Sequence, residues 1–273
     1  MEPSVYKNPS INLFGLRLDE PVTMLTDLLV TAVCLYAYFR LNRLPLKGLV
    51  YLYYKHFFLL MGIATLLGGV IGHGFNYALS IYWKIPGWYA SMVAIALAER
   101  ASIFYSMKLI RPMYATFFTW VNLAELLFFM VTSVVTMNFY FVVGHSAYGI
   151  MLVVGGFQGY VYYRTHQKGS KQFFYAVGWS AIGAIIFLNQ WAFSRWFNHM
   201  DIGHVLMALS AWHIYKGVQL IIAAPDDKSP CPAAQSRRLQ NLSLRNYSES
   251  TAINPPTFPV SLRPSFFKSR SST

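Results

Sequence analysis

The chain has 273 residues, of which 55% are hydrophobic, 17% aromatic and only 12% charged, with a net charge of +12. Soluble domains carry roughly 25% charged residues, and apolar runs of about 20 residues cross bilayers, so an ordinary soluble domain is excluded. The positive excess falls in loops and a basic terminal segment, which points to membrane topology rather than to a nucleic-acid partner.

Residues 1–20 form a polar lead-in without the apolar stretch of a cleavable signal peptide. Seven apolar blocks follow, at about 22–41, 49–78, 87–110, 114–138, 140–163, 172–194 and 202–224. Within a bilayer every backbone N–H and C=O must be satisfied internally, so these blocks are expected as helices. The expected fold class is all-α: a polytopic membrane protein built as a seven-transmembrane helix bundle over residues 21–224. The second block is long, and Gly68, Gly69, Gly72 and Gly74 are expected to bend it or let a neighbour approach. From Pro225 to Thr273 the chain turns Ser-, Pro- and Arg/Lys-rich and reads as a disordered tail. Cys34 lies inside the first block and Cys231 beyond the last, so no disulfide is expected, and Cys231 is a weak acylation candidate.

Basic residues set the orientation. Arg40, Arg43 and Lys47 follow the first block, Lys108 and Arg111 the third, Arg164, Lys168 and Lys171 the fifth, and Lys216 and Lys228 flank the last. The intervening loops hold only Lys84 and Arg195. The amino terminus is therefore expected outside or in a lumen, and the carboxyl terminus in the cytoplasm. Asn241 and Asn246 head glycosylation sequons, which a cytoplasmic tail would not expose to that machinery.

Ionisable residues inside a span are costly and are candidate functional groups. With that orientation, four blocks carry polar groups to one depth, near the outer leaflet. Glu20 and Asp27 lie at the start of the first, and His73 and Asn76 toward the end of the second. Asn189 and Gln190 close the sixth, and Asp201 and His204 open the seventh. Asp201 and His204 are three apart and share a helical face, which Met200 joins, whereas His213 points the opposite way. One reading of this layer is a water-filled vestibule. Deeper, Glu99 and Arg100 sit mid-way along the third block and Glu125 mid-way along the fourth, a pattern that reads as an Arg100 ion pair between helices. His145 reads as a lone packing histidine. Trp212 and His213 are read as packing or bonding between helices. The glycines at 144, 149, 155, 156 and 159 read as a helix-packing face. Dinucleotide, Walker and nucleophile-elbow sequences are missing.

These residues carry a resemblance. Glu20-Pro-Val-Thr-Met-Leu-Thr-Asp27 is similar to the first-helix signature of the seven-helix membrane hydrolase superfamily of alkaline ceramidases, adiponectin receptors and post-GPI-attachment lipid remodelling proteins. Gly69-Val-Ile-Gly-His73 resembles its second-helix Ser-x-x-x-His, and Glu99 to Ser106 resembles the third-helix acidic segment of the ceramidases. Met200-Asp-Ile-Gly-His204, followed by His213, resembles the final His-x-x-x-His. The likeness spans about residues 18–224 and looks closest to a divergent bacterial-type branch.

The resemblance implies zinc held by three histidines, with a Ser and an Asp beside the metal and a lipid amide or ester as substrate. His73 and His204 stand at matching positions. The other three depart: Met200 replaces a histidine, Gly69 the serine, and Ala98, beside Glu99, the aspartate. Zinc takes three protein ligands plus water, so Asp201 is expected to complete the set with His73 and His204. His199 is less well placed on the helix, and the Met200 thioether suits softer ions. Glu20, Asp27 and Glu99 are the candidate catalytic carboxylates. The expected function is a zinc-dependent hydrolase of a membrane lipid, with its site on the non-cytoplasmic side. The alternative is a non-catalytic seven-helix receptor or sensor that binds lipid. A transporter is a weaker reading because the chain shows no inverted repeat or paired broken helices. A G-protein-coupled receptor is weaker still, because the chain has neither Asp-Arg-Tyr after the third block nor Asn-Pro-x-x-Tyr in the seventh.

Overall fold

The apolar blocks do form helices in the computed structural model, which describes residues 9–45 and 48–223. In chain order these are α1 (Pro21–Asn42), α2 (Leu49–Leu67), α3 (Ile85–Ser106), α4 (Pro112–Thr136), α5 (Tyr140–Ala147), α6 (Gly155–Thr165), α7 (Lys168–Asn189) and α8 (His199–Ala223). Two π-helical turns extend them. Gly68–Gly74 continues α2, and Tyr148–Val154 joins α5 to α6 as a single rod. The protein is thus all-helical in its spans, with seven rods. Six are long and apolar enough to cross a membrane, which makes it a multi-pass membrane protein. The seventh, α3, is 22 residues long like α1, but Glu99 and Arg100 interrupt it and it falls outside that set. Lys47, Lys228, Cys231, both sequons and the tail lie outside the described residues.

The lead-in contains structure that its polarity did not announce. Ser10–Leu13 and Leu16–Asp19 pair as an antiparallel hairpin. Phe14 and Gly15 both have positive φ, 52° and 83°, the two-residue turn whose twist suits a hairpin. The hairpin ends on a bond from the Glu20 N–H to the Pro9 carbonyl, and Glu20 itself is left-handed, at φ 46°. Pro21 then starts α1, where its missing N–H is harmless.

The buried centre is built on α1, α2, α3 and α8, with Val30, Cys34, Ala37, Phe58, Ala98, Ala211 and Tyr215 at its heart. Small residues set the approach of the helices. A Cβ at Gly169 or at Gly217 would come within 3.0 Å of the other's carbonyl oxygen, so α7 and α8 cross at this glycine pair. Polar side chains then tie helices across the core. Thr31 meets Thr65 at 2.9 Å, and Tyr54, Ser102, Gln158 and Ser170 form a chain from α2 through α3 and α6 to α7. His213 bonds Gln172 at 2.9 Å, the interhelical contact expected of it. Arg100 reaches α4, but its partners are Asn122 Oδ1 and the Thr119 carbonyl rather than Glu125. The expected ion pair is replaced by neutral acceptors.

Candidate metal centre

Three elements bring the site together. α1 supplies Asp27, the π-helical turn after α2 supplies His73, and the first turns of α8 supply His204. One ligand atom from each lies within 4.8 Å of the other two. The two imidazoles meet edge-on, with centroids 6.0 Å apart. Asp27 is nearly sealed from solvent and the histidines mostly so, with side-chain exposures of 5%, 15% and 16%.

Glycines explain how α1 and the π-helical turn come so close. A Cβ on Gly69 would stand 3.0 Å from Asp27 Cβ and 3.1 Å from the Met24 carbonyl, and one on Gly68 3.2 Å from Asp27 Oδ2. Gly74 is pinned likewise, 2.8 Å from Met24 Sδ. The serine that the resemblance places at position 69 would collide with α1. The carboxylate of Asp27 occupies that neighbourhood instead.

Bonds around the rim fix the tautomers. His73 Nδ1 bonds Glu20 Oε2. With the Glu20 oxygen as acceptor, Nδ1 carries the proton and the Nε2 lone pair is left toward Asp27. The left-handed backbone at Glu20 turns its side chain toward the π-helical turn, and such outliers cluster at functional sites. On the other side, Thr26 Oγ1 donates to the Thr23 carbonyl at 3.0 Å and accepts from His204 Nδ1 at 3.1 Å. His204 Nε2 is then the free nitrogen, 3.4 Å from Asp27 Oδ1, and His73 Nε2 is 3.8 Å from Asp27 Oδ2.

Both separations are too long for good hydrogen bonds. Three donor atoms therefore surround a gap without bonding one another. Ligands about 2.0–2.1 Å from a tetrahedral zinc stand roughly 3.3 Å apart, close to these separations. Two imidazole nitrogens and a carboxylate oxygen, each imidazole braced through its other nitrogen, are the donors and supports that borderline divalent metals take. The residues fit a metal.

The sequence-based assignment shifts by one residue. Asp201 does not join the two histidines. Its Oδ2 accepts the Asn198 N–H at 2.6 Å, tying the chain just ahead of α8, and its Oδ1 stands 3.5 Å from Thr26 Oγ1. Sharing a helical face with His204 placed it beside that ligand but turned it toward its own helix start. Asp27 takes the ligand place assigned to it. Glu99 also lies elsewhere, in a group with Glu125 and His145, so it is not a carboxylate of this site. His145 is thus not the lone histidine expected. Asn76, Asn189 and Gln190 are exposed, and Asn189 bonds its own helix at Ile185. His199 packs against Phe187 with the rings tilted at 59°, while Met200 lines the cavity described next. The close approach expected of the glycines is met at Gly68 and Gly69, whereas Thr26, which adjoins Asp27 and points toward α8, was assigned no role in the sequence.

The centre opens into a cavity of about 490 Å³ with mainly apolar walls, including Phe57, Met61, Ile95, Val142, Phe187 and Met207. Lys84, just before α3, and Trp88, in its first turn, line this cavity. Half-burial pushes the Lys84 ammonium below its ordinary pKa, against the opposing pull of the Glu20 carboxylate.

Residues 22–222 match a family described as a family of unknown function (DUF6962), and the chain belongs to it. No curated protein and no solved structure matches.

Proposed function

We propose that this protein is a metal-dependent hydrolase of a membrane lipid carrying an amide- or ester-linked acyl chain. The observation that carries the reading is the gap between Asp27, His73 and His204, which opens into an apolar cavity. Asp27 Oδ1 or Oδ2, His73 Nε2 and His204 Nε2 hold a zinc ion in this reading. Zinc bound there supplies Lewis acidity and brings the pKa of a water to about 7.

The chain's own residues supply the rest. Glu20 holds His73 in the tautomer that leaves Nε2 free, and Thr26, anchored on the Thr23 carbonyl, does the same for His204. Both are positioning residues. The apolar walls seat an acyl chain and exclude bulk water, which strengthens every electrostatic contact at the centre. Lys84 offers a cation to a polar headgroup at the edge of the cavity. A cavity of this size falls within the range that seats small lipophilic ligands.

α3 is proposed as the seventh span, with the amino terminus and the metal centre on the non-cytoplasmic side. Labelling of single cysteines at Gly15 and Thr165 by an impermeant maleimide tests this. Labelling from outside at Gly15 alone is expected, and labelling at Thr165 alone would invert the topology.

The activity test presents purified, zinc-loaded protein in detergent with acyl amides and acyl esters of membrane lipids and reads released fatty acid by mass spectrometry. Release that disappears in His73→Ala and His204→Ala is expected. No release by wild type from either class, or undiminished release by both variants, would overturn the reading.

A further inference from the structure

Glu99 on α3, Glu125 on α4 and His145 on α5 form a second cluster, buried in the middle of the bundle. One ligand atom from each again lies within 4.8 Å of the others. Glu99 and His145 have no exposed surface. Five buried atoms here have no hydrogen-bond partner among the described residues: Glu99 Oε1, both Glu125 oxygens and both His145 ring nitrogens. His145 Nε2 and Glu125 Oε1 are 3.4 Å apart. One carboxylate without partners, a second with one open oxygen and an imidazole without partners are costly at membrane depth unless something neutralises and ligates them.

The surroundings hold the cluster open. Asn122 Nδ2 donates to Glu99 Oε2 at 3.1 Å and so aims Oε1 toward the free groups. The same amide accepts from Arg100 Nε, and Arg100 also donates to the Thr119 carbonyl, so the one nearby cation has its own acceptors. Gly149, in the π-helical turn that follows α5, makes the space. A Cβ there would stand 2.3 Å from Glu99 Oε1 and 2.4 Å from Ile95 Cγ2. π-helical turns are rare and gather at functional sites, and this chain has one beside each cluster. Ile95, Val142 and Ser146, each within four residues of Glu99 or His145 along the chain, line the central cavity.

We infer that Glu99, Glu125 and His145 form a second binding site for a divalent first-row metal ion, separate from the Asp27 centre. Two carboxylates and an imidazole are the N/O donor set that manganese, iron and zinc accept. The inference stands on its own orphaned donors and does not require the first centre to be catalytic.

The test titrates cobalt(II) alone into chelator-stripped protein in detergent and reads visible ligand-field absorption and bound metal per chain. In the His73→Ala/His204→Ala background about one equivalent is expected to remain, and adding Glu125→Gln is expected to remove it. In wild type, Glu125→Gln alone should lower the bound metal by about one equivalent, which keeps the test valid should the double variant fail to fold. A monodisperse His73→Ala/His204→Ala protein that binds no cobalt, or a wild-type stoichiometry unmoved by Glu125→Gln, would overturn the second site. Loss confined to the histidine variant would leave the first centre standing alone.

Discussion

Glu20 shows how much a single residue contributes. It closes the hairpin through its N–H, starts α1 from a left-handed backbone and holds His73 Nδ1 through its carboxylate. Glu20→Gln keeps the size of the side chain but replaces the carboxyl group with an amide. Metal affinity is expected to fall about 10–100-fold, the usual loss when a partner behind a ligating histidine is changed, while the fold persists. A zinc competition assay against a chromophoric chelator measures it, and unchanged affinity would remove Glu20 from the site. Glu20, Asp27, His73 and His204 were legible in the sequence because ionisable groups stand out against apolar blocks. Which acid faces the histidines was not legible. Asp201 and His204 share a face by spacing, but the open backbone N–H ahead of α8 captures the Asp201 carboxylate, a local competition that spacing does not reveal.

At the scale of elements, the meeting of α1 with the π-helical turn decides the centre. Close approach rests most on Gly69, whose added Cβ would meet the Met24 carbonyl, and the π-helical turn carries His73 beside Asp27. Gly69→Ala would press its methyl against Asp27 Cβ and the Met24 carbonyl, a backbone atom that cannot swing away. Overpacking of this kind costs about 1–3 kcal/mol. A lowered thermal midpoint in detergent, with weakened zinc binding, is expected, and a midpoint equal to wild type would contradict this packing. The glycine run announced a bend in the second block, but a bend does not specify a π-helical turn. The hairpin before α1 was hidden for a different reason. Its strands are four residues each and largely exposed, so no buried face imposes an alternating pattern.

At the scale of the whole molecule, every rod but α4 contributes to the lining of an apolar cavity, and ionisable groups gather in two clusters. The number and order of helices followed from the length of the apolar blocks, and α3 escapes the apolarity that marks the other six because it carries Glu99 and Arg100. The grouping of Glu99 with Glu125 and His145 rests on three helices meeting, which no local pattern encodes. The central claim is that Asp27, His73 and His204 hold a metal. Elemental analysis of protein purified without chelators, compared between wild type and His73→Ala/His204→Ala, tests it most directly. Wild type is expected to carry about one zinc per chain more than the variant, as a site of three protein ligands requires. A wild type without metal, or equal metal in both proteins, would contradict the account.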